Sequence, residues 1–518
     1  MHSVTGASSG WPGADPAPPP AARARLLTWL AGAGIAVSVL LMIAASAVRD
    51  SWMSPRVVPP AWGPPWDLRS VHVSVGAATA GLWIAVILGA GGVAAGLLAV
   101  RRGARPSARG LLAGAAIAVV ALTVLLPAGS SDALDYAAYG RIVALGHSPY
   151  VMTPYHLRLA HDAFARSVPA TWQHSVSVYG PLATMEQFLA AKLGGLSAAR
   201  VTFWLKLWNS LAFGLVAFVI DRLVRADPAR RLRAHLLWTA NPLMLWAVVA
   251  SGHLDVLAAA AGLLGLVALG RHCGTARIPL PRLLAAGALI GAAADIKINY
   301  VLYGLGAAWV LRRSIASLAA AAAAALAVLG PSYAWFGLPA VHAITNRRNG
   351  SSADSMYRAF LIPVLRDHLA VAAIVIVAAV AVLVLRRMPQ AIPDRPAIQA
   401  ALALSLAWLF FWPYQYPWYD TMLVCLLVLY PASRLDWLVL GRLAATTIPN
   451  IPGNPGAPLG RVLGEIHHLS VVVLSPLVML AAAAGLIALC LTGRWNLRGP
   501  GEPGAAPDAP ALVGSVTG

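Results

Sequence analysis

The chain has 518 residues, of which 59% are hydrophobic and only 11% charged, and its formal net charge is +19. Soluble domains carry roughly 25% charged residues, so this composition excludes an ordinary soluble enzyme. It also excludes a nucleic-acid binder, because no basic stretch is interleaved with aromatics in a polar domain.

Residues 1–25 are rich in Pro, Ala and Gly and read as a disordered cytoplasmic tail. Leu26 to Val48 is the first apolar run. It is too long for a signal-peptide core, and Arg49-Asp50 is no small-residue cleavage site, so it is expected to be retained. Further runs follow at Val71–Val100, Gly110–Leu126, Val201–Ile220, Ala370–Leu385 and Leu469–Leu491. Each is near the ~20 residues that cross a bilayer. Lipid offers no partner to backbone polar groups, so such runs must be helices. The expectation is an all-α, polytopic integral membrane protein of about 12–14 transmembrane helices over residues 26–491, with a disordered tail at 492–518. Arg434 to Thr447 is either a short span or a surface helix.

Basic residues cluster in alternate connections: Arg101 to Arg109, Arg222 to Arg233, Arg271 to Arg282, Arg312-Arg313 and Arg386-Arg387. The positive-inside rule places these, and the N-terminus, in the cytoplasm. The intervening connections then face outward. The longest is 129–198; the others include Ser251–Asp255, Ile296–Tyr300, Ser332–His368 and Trp412–Pro417. Cys273, Cys425 and Cys490 are scattered, with no disulfide framework and no metal spacing. Phosphate-binding and dinucleotide-binding glycine loops are absent, so neither cofactor nor metal is expected.

Polar residues at the membrane boundary are the informative ones. The 129–198 loop begins with Asp132 and Asp135, whose i,i+3 spacing puts both on one helix face. A carboxylate there is partly desolvated yet reachable, which suits a general base. The plainer reading is helix capping by Ser130, Ser131 and Asp132. Tyr136, Tyr139, Arg141, His147, Tyr150 and Tyr179 follow in the same loop. They read as a sugar site of aromatic faces and hydrogen-bond donors, or in part as an interfacial aromatic belt. Four later segments fall on the same side. His253 and Asp255 sit in a short turn between apolar runs. Lys297 follows Asp295 in ADIKINY, either as a phosphate ligand or as half of an Asp295–Lys297 ion pair. Arg347, Arg348 and Arg358 are anion-binding candidates on an outer loop, unless they form a solvated face. Trp418 and Tyr419 close FFWPYQYPWYD, as a lipid–sugar groove or as belt anchors.

Taken in order, YAAYGRIVALGHSPY, YGPL, NPLMLW, SGHLD and YPWY resemble the actinobacterial polyprenol-phosphomannose-dependent α-1,6-mannosyltransferases, from about Ser131 to Arg442. The resemblance implies a GT-C-type membrane glycosyltransferase. Its donor would be a polyprenyl-phosphate sugar, mannose first and arabinofuranose second. Its acceptor would be a growing lipoglycan or mannan on the outer face of the cell membrane. It implies that Asp132 is the base, with Asp135 as the second candidate. The turn resembling GHND has Leu254 in place of its polar residue, and the HPWY-like segment has Tyr416 in place of His. A lipid or polysaccharide transporter is the competing class. It would hold its polar residues near the bilayer midplane rather than at one boundary.

Overall fold

The computed structural model describes residues 22–496, apart from 49–52, 54–56, 59, 69–70, 163, 165–166, 169–171, 271–277, 346–350, 362–367, 393 and 454–455. Residues 1–21 and 497–518 of the two expected tails, with Cys273, Arg347 and Arg348, therefore lie outside the described residues, whereas Ala22–Arg25 are helical and Trp495 is buried, so the expected tail bounds of 25 and 492 each cut into ordered chain. Among those described the protein is all-helical, with only isolated β-bridges.

The first apolar runs become α1 (Ala22–Ala47), α2 (Val75–Arg101) and α3 (Ala108–Val124). The long loop folds into α4 (Asp132–Ala144), α5 (Pro154–Leu159) and α6 (Pro181–Gly194). Next come α7 (Ala198–Val224), α8 (Pro228–Leu237), the short α9 (Pro242–Met244) and a π-turn over Leu245–Ala250. The middle of the chain holds α10 (Asp255–Ala268), α11 (Leu280–Ile296), α12 (Val301–Leu311), α13 (Ile315–Phe336) and α14 (Leu338–Thr345). The last helices are α15 (Leu369–Arg387), α16 (Pro396–Phe411), α17 (Asp420–Leu427), α18 (Leu435–Thr447), α19 (Gly460–Leu469) and α20 (Ser475–Thr492).

Six described helical stretches are long and apolar enough to cross a membrane: α1, α2, α7, α13, α15 and the continuous Gly460–Thr492. The chain is thus a multi-pass membrane protein. The remaining apolar segments among the expected 12–14 are short or bent. The stretch Pro228–Ala250 meets α10 at 113°, and α3, Ile298–Leu311 and α16 are each under 18 residues. Polar breaks at Ser251–Leu254 and at Lys297 interrupt what would otherwise be longer spans. Leu435–Thr447 is not a surface helix; as α18 it is largely buried, against α2 and α20.

Two ends are distinct. At one, Lys206 on α7 donates to the carbonyls of Leu122, Leu125 and Leu126 at 2.5, 2.8 and 3.2 Å. The carbonyls at the end of α3 have no intrahelical partner, and an ammonium with three donors satisfies them. The 251–254 turn sits at this end. At the other end, Arg233 binds Asp436 and the Tyr430 carbonyl, and Arg434 N–H bonds the Trp495 carbonyl.

Candidate functional site

The site is built where α4, the 251–254 turn, the end of α11 and the 416–419 segment converge. Asp132 is the first residue of α4, and its backbone N–H donates to Ser130 Oγ at 3.2 Å. Ser131 takes the N-cap place but makes no side-chain cap bond. The carboxylate of Asp132 is therefore not spent on closing the helix, and 18% of its side chain stays exposed. Burial lifts its pKa from 3.8 to about 6, opposed by Lys297 and by a Ser130 hydrogen bond, and helped by the charge of Asp255. Asp135, one turn on, is buried.

The next wall is the turn. Gly252 has φ +72°, a conformation that favours glycine. A Cβ there would also lie 2.8 Å from Lys206 Cγ. Asn209 donates to the Gly252 carbonyl at 3.1 Å, so α7 fixes the turn from beneath. The turn aims His253 at Asp132, with Nδ1 3.8 Å from Oδ2. The same nitrogen shares a 3.2 Å hydrogen bond with the Tyr136 hydroxyl. Tyr136 meets Tyr179 edge-on at 5.0 Å. The other face of the wall is aromatic. The His253 ring stacks on Trp418 at 3.8 Å, and Trp418 stacks on Tyr416 at 4.7 Å. Lys297 caps α11, binds both oxygens of Asp255 at 2.7 Å and lies over the Tyr419 ring at 4.1 Å. Its side chain is 12% exposed.

The structure thus gathers Asp132, Tyr136, Tyr179, His253, Asp255, Lys297, Trp418 and Tyr419 in one place. Other sequence candidates lie elsewhere. Arg141 is held by Asp162 at 2.9 Å, which locks the loop onto α4. The Tyr139 hydroxyl donates to the Ser175 carbonyl, and that of Tyr150 to the Tyr179 carbonyl, so both brace the loop backbone. His147 is exposed just past the end of α4, and Arg358 is exposed on the turn Tyr357–Leu361. The Asp295–Lys297 pair does not form. Asp295 instead accepts from Leu182 N–H and Ser332 Oγ, tying α6 and α13 to α11, while Lys297 turns to Asp255. Lys206 and Asn209 were missed by the sequence reading because they sit in the middle of an apolar run. The signal was there: a Lys and an Asn at i,i+3 in a span are costly without partners.

The cluster offers a partly exposed carboxylate, a neutralised lysine at its rim and stacked rings. That set can accept a proton, face a sugar and approach an anion. With this geometry in view, residues 12–313 match the family described as Alpha-(1->6)-mannopyranosyltransferase, N-terminal domain. A stretch of 172 residues is 31% identical to a probable alpha-(1->6)-mannopyranosyltransferase of Mycolicibacterium smegmatis, covering 32% of this chain and 30% of that relative's length. The structure also aligns with ArnT of Cupriavidus metallidurans bound to undecaprenyl phosphate, at 15% identity and a TM-score of 0.37 over 75% of this chain and 79% of that one. That likeness is too loose to argue from.

Proposed function

Because the chain belongs to the alpha-(1->6)-mannopyranosyltransferase family, we propose that it transfers mannose from a polyprenyl-phosphate donor to a growing mannan or lipoglycan acceptor, in the manner of GT-C membrane glycosyltransferases. The transfer takes place on the extracytoplasmic face, with the N-terminus in the cytoplasm, as the alternating basic connections favour. The observation that carries the proposal is the Asp132 carboxylate, left partly open to solvent and set beside His253, at the same end as Lys297.

The step follows from these groups. Asp132 takes the proton of the acceptor hydroxyl as its oxygen attacks the anomeric carbon. The bond from that carbon to the phosphate oxygen breaks, and the electron pair leaves with the polyprenyl phosphate. The donor carries its own leaving group, so no nucleotide is involved. Lys297 offsets the charge that develops on the leaving phosphate, approaching from the edge that Asp255 and Tyr419 leave open. Trp418 and Tyr419 present ring faces to apolar sugar faces. Asp255 holds Lys297, and Tyr136 and Tyr179 hold the His253 side of the wall. Asp135 is too enclosed to serve before Asp132. A transporter reading fits less well, since the polar side chains gather at one end rather than along a path.

The test is a membrane assay that offers polyprenyl-phosphomannose and polyprenyl-phosphoarabinose in parallel. Wild type should use the mannose donor, and Asp132→Asn should lose on the order of 100-fold or more in rate while inserting normally. Normal transfer by Asp132→Asn would refute the base. Preference for the arabinose donor would refute the sugar.

A further inference from the structure

Behind the aromatic wall lies a second buried cluster that the mechanism does not use. Arg442, in the middle of α18, is fully buried, as is its partner Asp420. Its Nε donates to the Leu409 carbonyl at 3.3 Å, and its Nη1 pairs with Asp420. Leu409 stands in the last turn of α16, where carbonyls lack intrahelical partners. Asp420 is the first residue of α17, where a carboxylate is favoured by the helix dipole. One planar guanidinium therefore grips the helices on both sides of the eight-residue connector 412–419. Five of those eight residues are aromatic, among them Tyr416, Trp418 and Tyr419 of the site wall.

The connector is laced a second time from the outer segment. Ser352 donates from both N–H and Oγ to the Pro413 carbonyl and accepts from Gln415 N–H. The Tyr357 hydroxyl donates to the Phe411 carbonyl at 2.6 Å. Asp354, between them, is buried and close enough to feel the Arg442 charge. None of these groups belongs to the catalytic cluster, yet Ser352 and Tyr357 fix the chain that carries its rings.

We infer that Arg442 is a positioning residue: by holding both ends of the 412–419 connector it sets where Trp418 meets His253 and where Tyr419 meets Lys297. A buried ion pair is weak evidence for stability in itself, because apolar replacements often do as well. What an apolar pair would lack here is the fork, which reaches a carbonyl on one helix and a carboxylate on the next. A lysine has a point charge and cannot span both at once.

The inference rests on the transferase reading for its kinetic arm and is independent of it in the other. In full-length protein in nanodiscs, Arg442→Lys should raise the donor KM about tenfold with kcat within about twofold. In a Trp418→Ala background the same change should add less than twofold, because the two residues act through one element. Independent, multiplying effects would overturn the inference. Hydrogen exchange supplies the second arm. Arg442→Lys should speed exchange of the 412–419 amides and leave α10 and α11 as they were. Unchanged exchange there, or faster exchange throughout, would also overturn it. The pair Arg442→Gln with Asp420→Asn is read in the same way, and if neither variant yields folded protein the ion pair belongs to the fold and not to the wall. Should wild type fail to turn over the donor, the transferase reading falls alone, and exchange still decides the role of Arg442.

Discussion

Two buried ion pairs mark the two ends of the molecule, and they are built differently. At the arginine-rich end, Arg233 binds both oxygens of Asp436, at 2.7 and 2.5 Å, and bonds the Tyr430 carbonyl at 2.7 Å, with further contacts to Val428 and Leu427. Its side chain is 4% exposed and that of Asp436 is 3% exposed. Those carbonyls close α17, so the guanidinium caps one helix while it pins another. At the other end Lys297 binds, among the described residues, the two oxygens of Asp255 and lies over the Tyr419 ring, with 12% of its side chain exposed. A pair whose donors are all consumed by the protein serves the fold. A pair left open on one side is available to a ligand.

Exchanging the partners should break that contrast most visibly. Arg233→Gln leaves Asp436 buried with an incomplete partner, at a cost of about 3–5 kcal/mol. The thermal midpoint in detergent should fall by several degrees, while kcat/KM of the surviving protein stays within about threefold. Lys297→Gln should differ in the rate. Asp255 is as buried as Asp436 and also loses its charged partner, so the midpoint falls here too, but the leaving phosphate loses its cation and kcat/KM falls roughly 100-fold. If Lys297→Gln proves mainly a stability defect, both pairs are structural and the proposed donor site loses its anion partner.

The pH dependence sharpens the same contrast at Asp132. Its folded pKa of about 6 lies above the ordinary 3.8. Folding therefore favours the protonated form. That contribution is complete below 3.8 and is lost as pH rises through 6. At about 1.4 kcal/mol per pH unit, the carboxylate at neutral pH costs about 3 kcal/mol. The general base needs that costly form, so transfer should climb from pH 5 to 7 with half its gain near 6. Asp132→Asn should raise the thermal midpoint at pH 7.5, with an advantage that fades toward pH 4. A midpoint that drops at every pH would show the carboxylate to be structural.

The parts legible in the sequence were those set by spacing along the chain. Apolar runs marked the long helices α1, α2, α7, α15 and α20 but not α13, and Asp132, His253, Lys297 and Trp418 were picked out as polar or aromatic residues at helix breaks. What spacing could not show was which partner each would choose. Lys297 pairs with Asp255 from 42 residues away rather than with Asp295 two residues before it, because the chain leaves the helix in an extended conformation at Lys297 and Asp295 is taken by Leu182 N–H and Ser332 Oγ. Arg141 read as a free donor until Asp162, 21 residues on, folded back onto it. Arg442 drew no notice because its two contacts lie 22 and 33 residues away on different helices.

The smallest effect is expected within α4 itself, where two tyrosines one turn apart do different work. The Tyr139 hydroxyl donates to the Ser175 carbonyl at 3.0 Å, and the Tyr136 hydroxyl meets His253 Nδ1 at 3.2 Å. Each is a single hydrogen bond worth about 1 kcal/mol. In Tyr139→Phe that loss should appear as stability alone, with kcat unchanged, because only the loop backbone is released. In Tyr136→Phe it should appear in kcat as a fall of roughly fivefold, since the imidazole beside Asp132 loses the group that fixes its orientation. Equal kinetic effects from the two variants would mean that the aromatic loop acts as one packed unit, and that the placement of His253 does not depend on the Tyr136 hydroxyl.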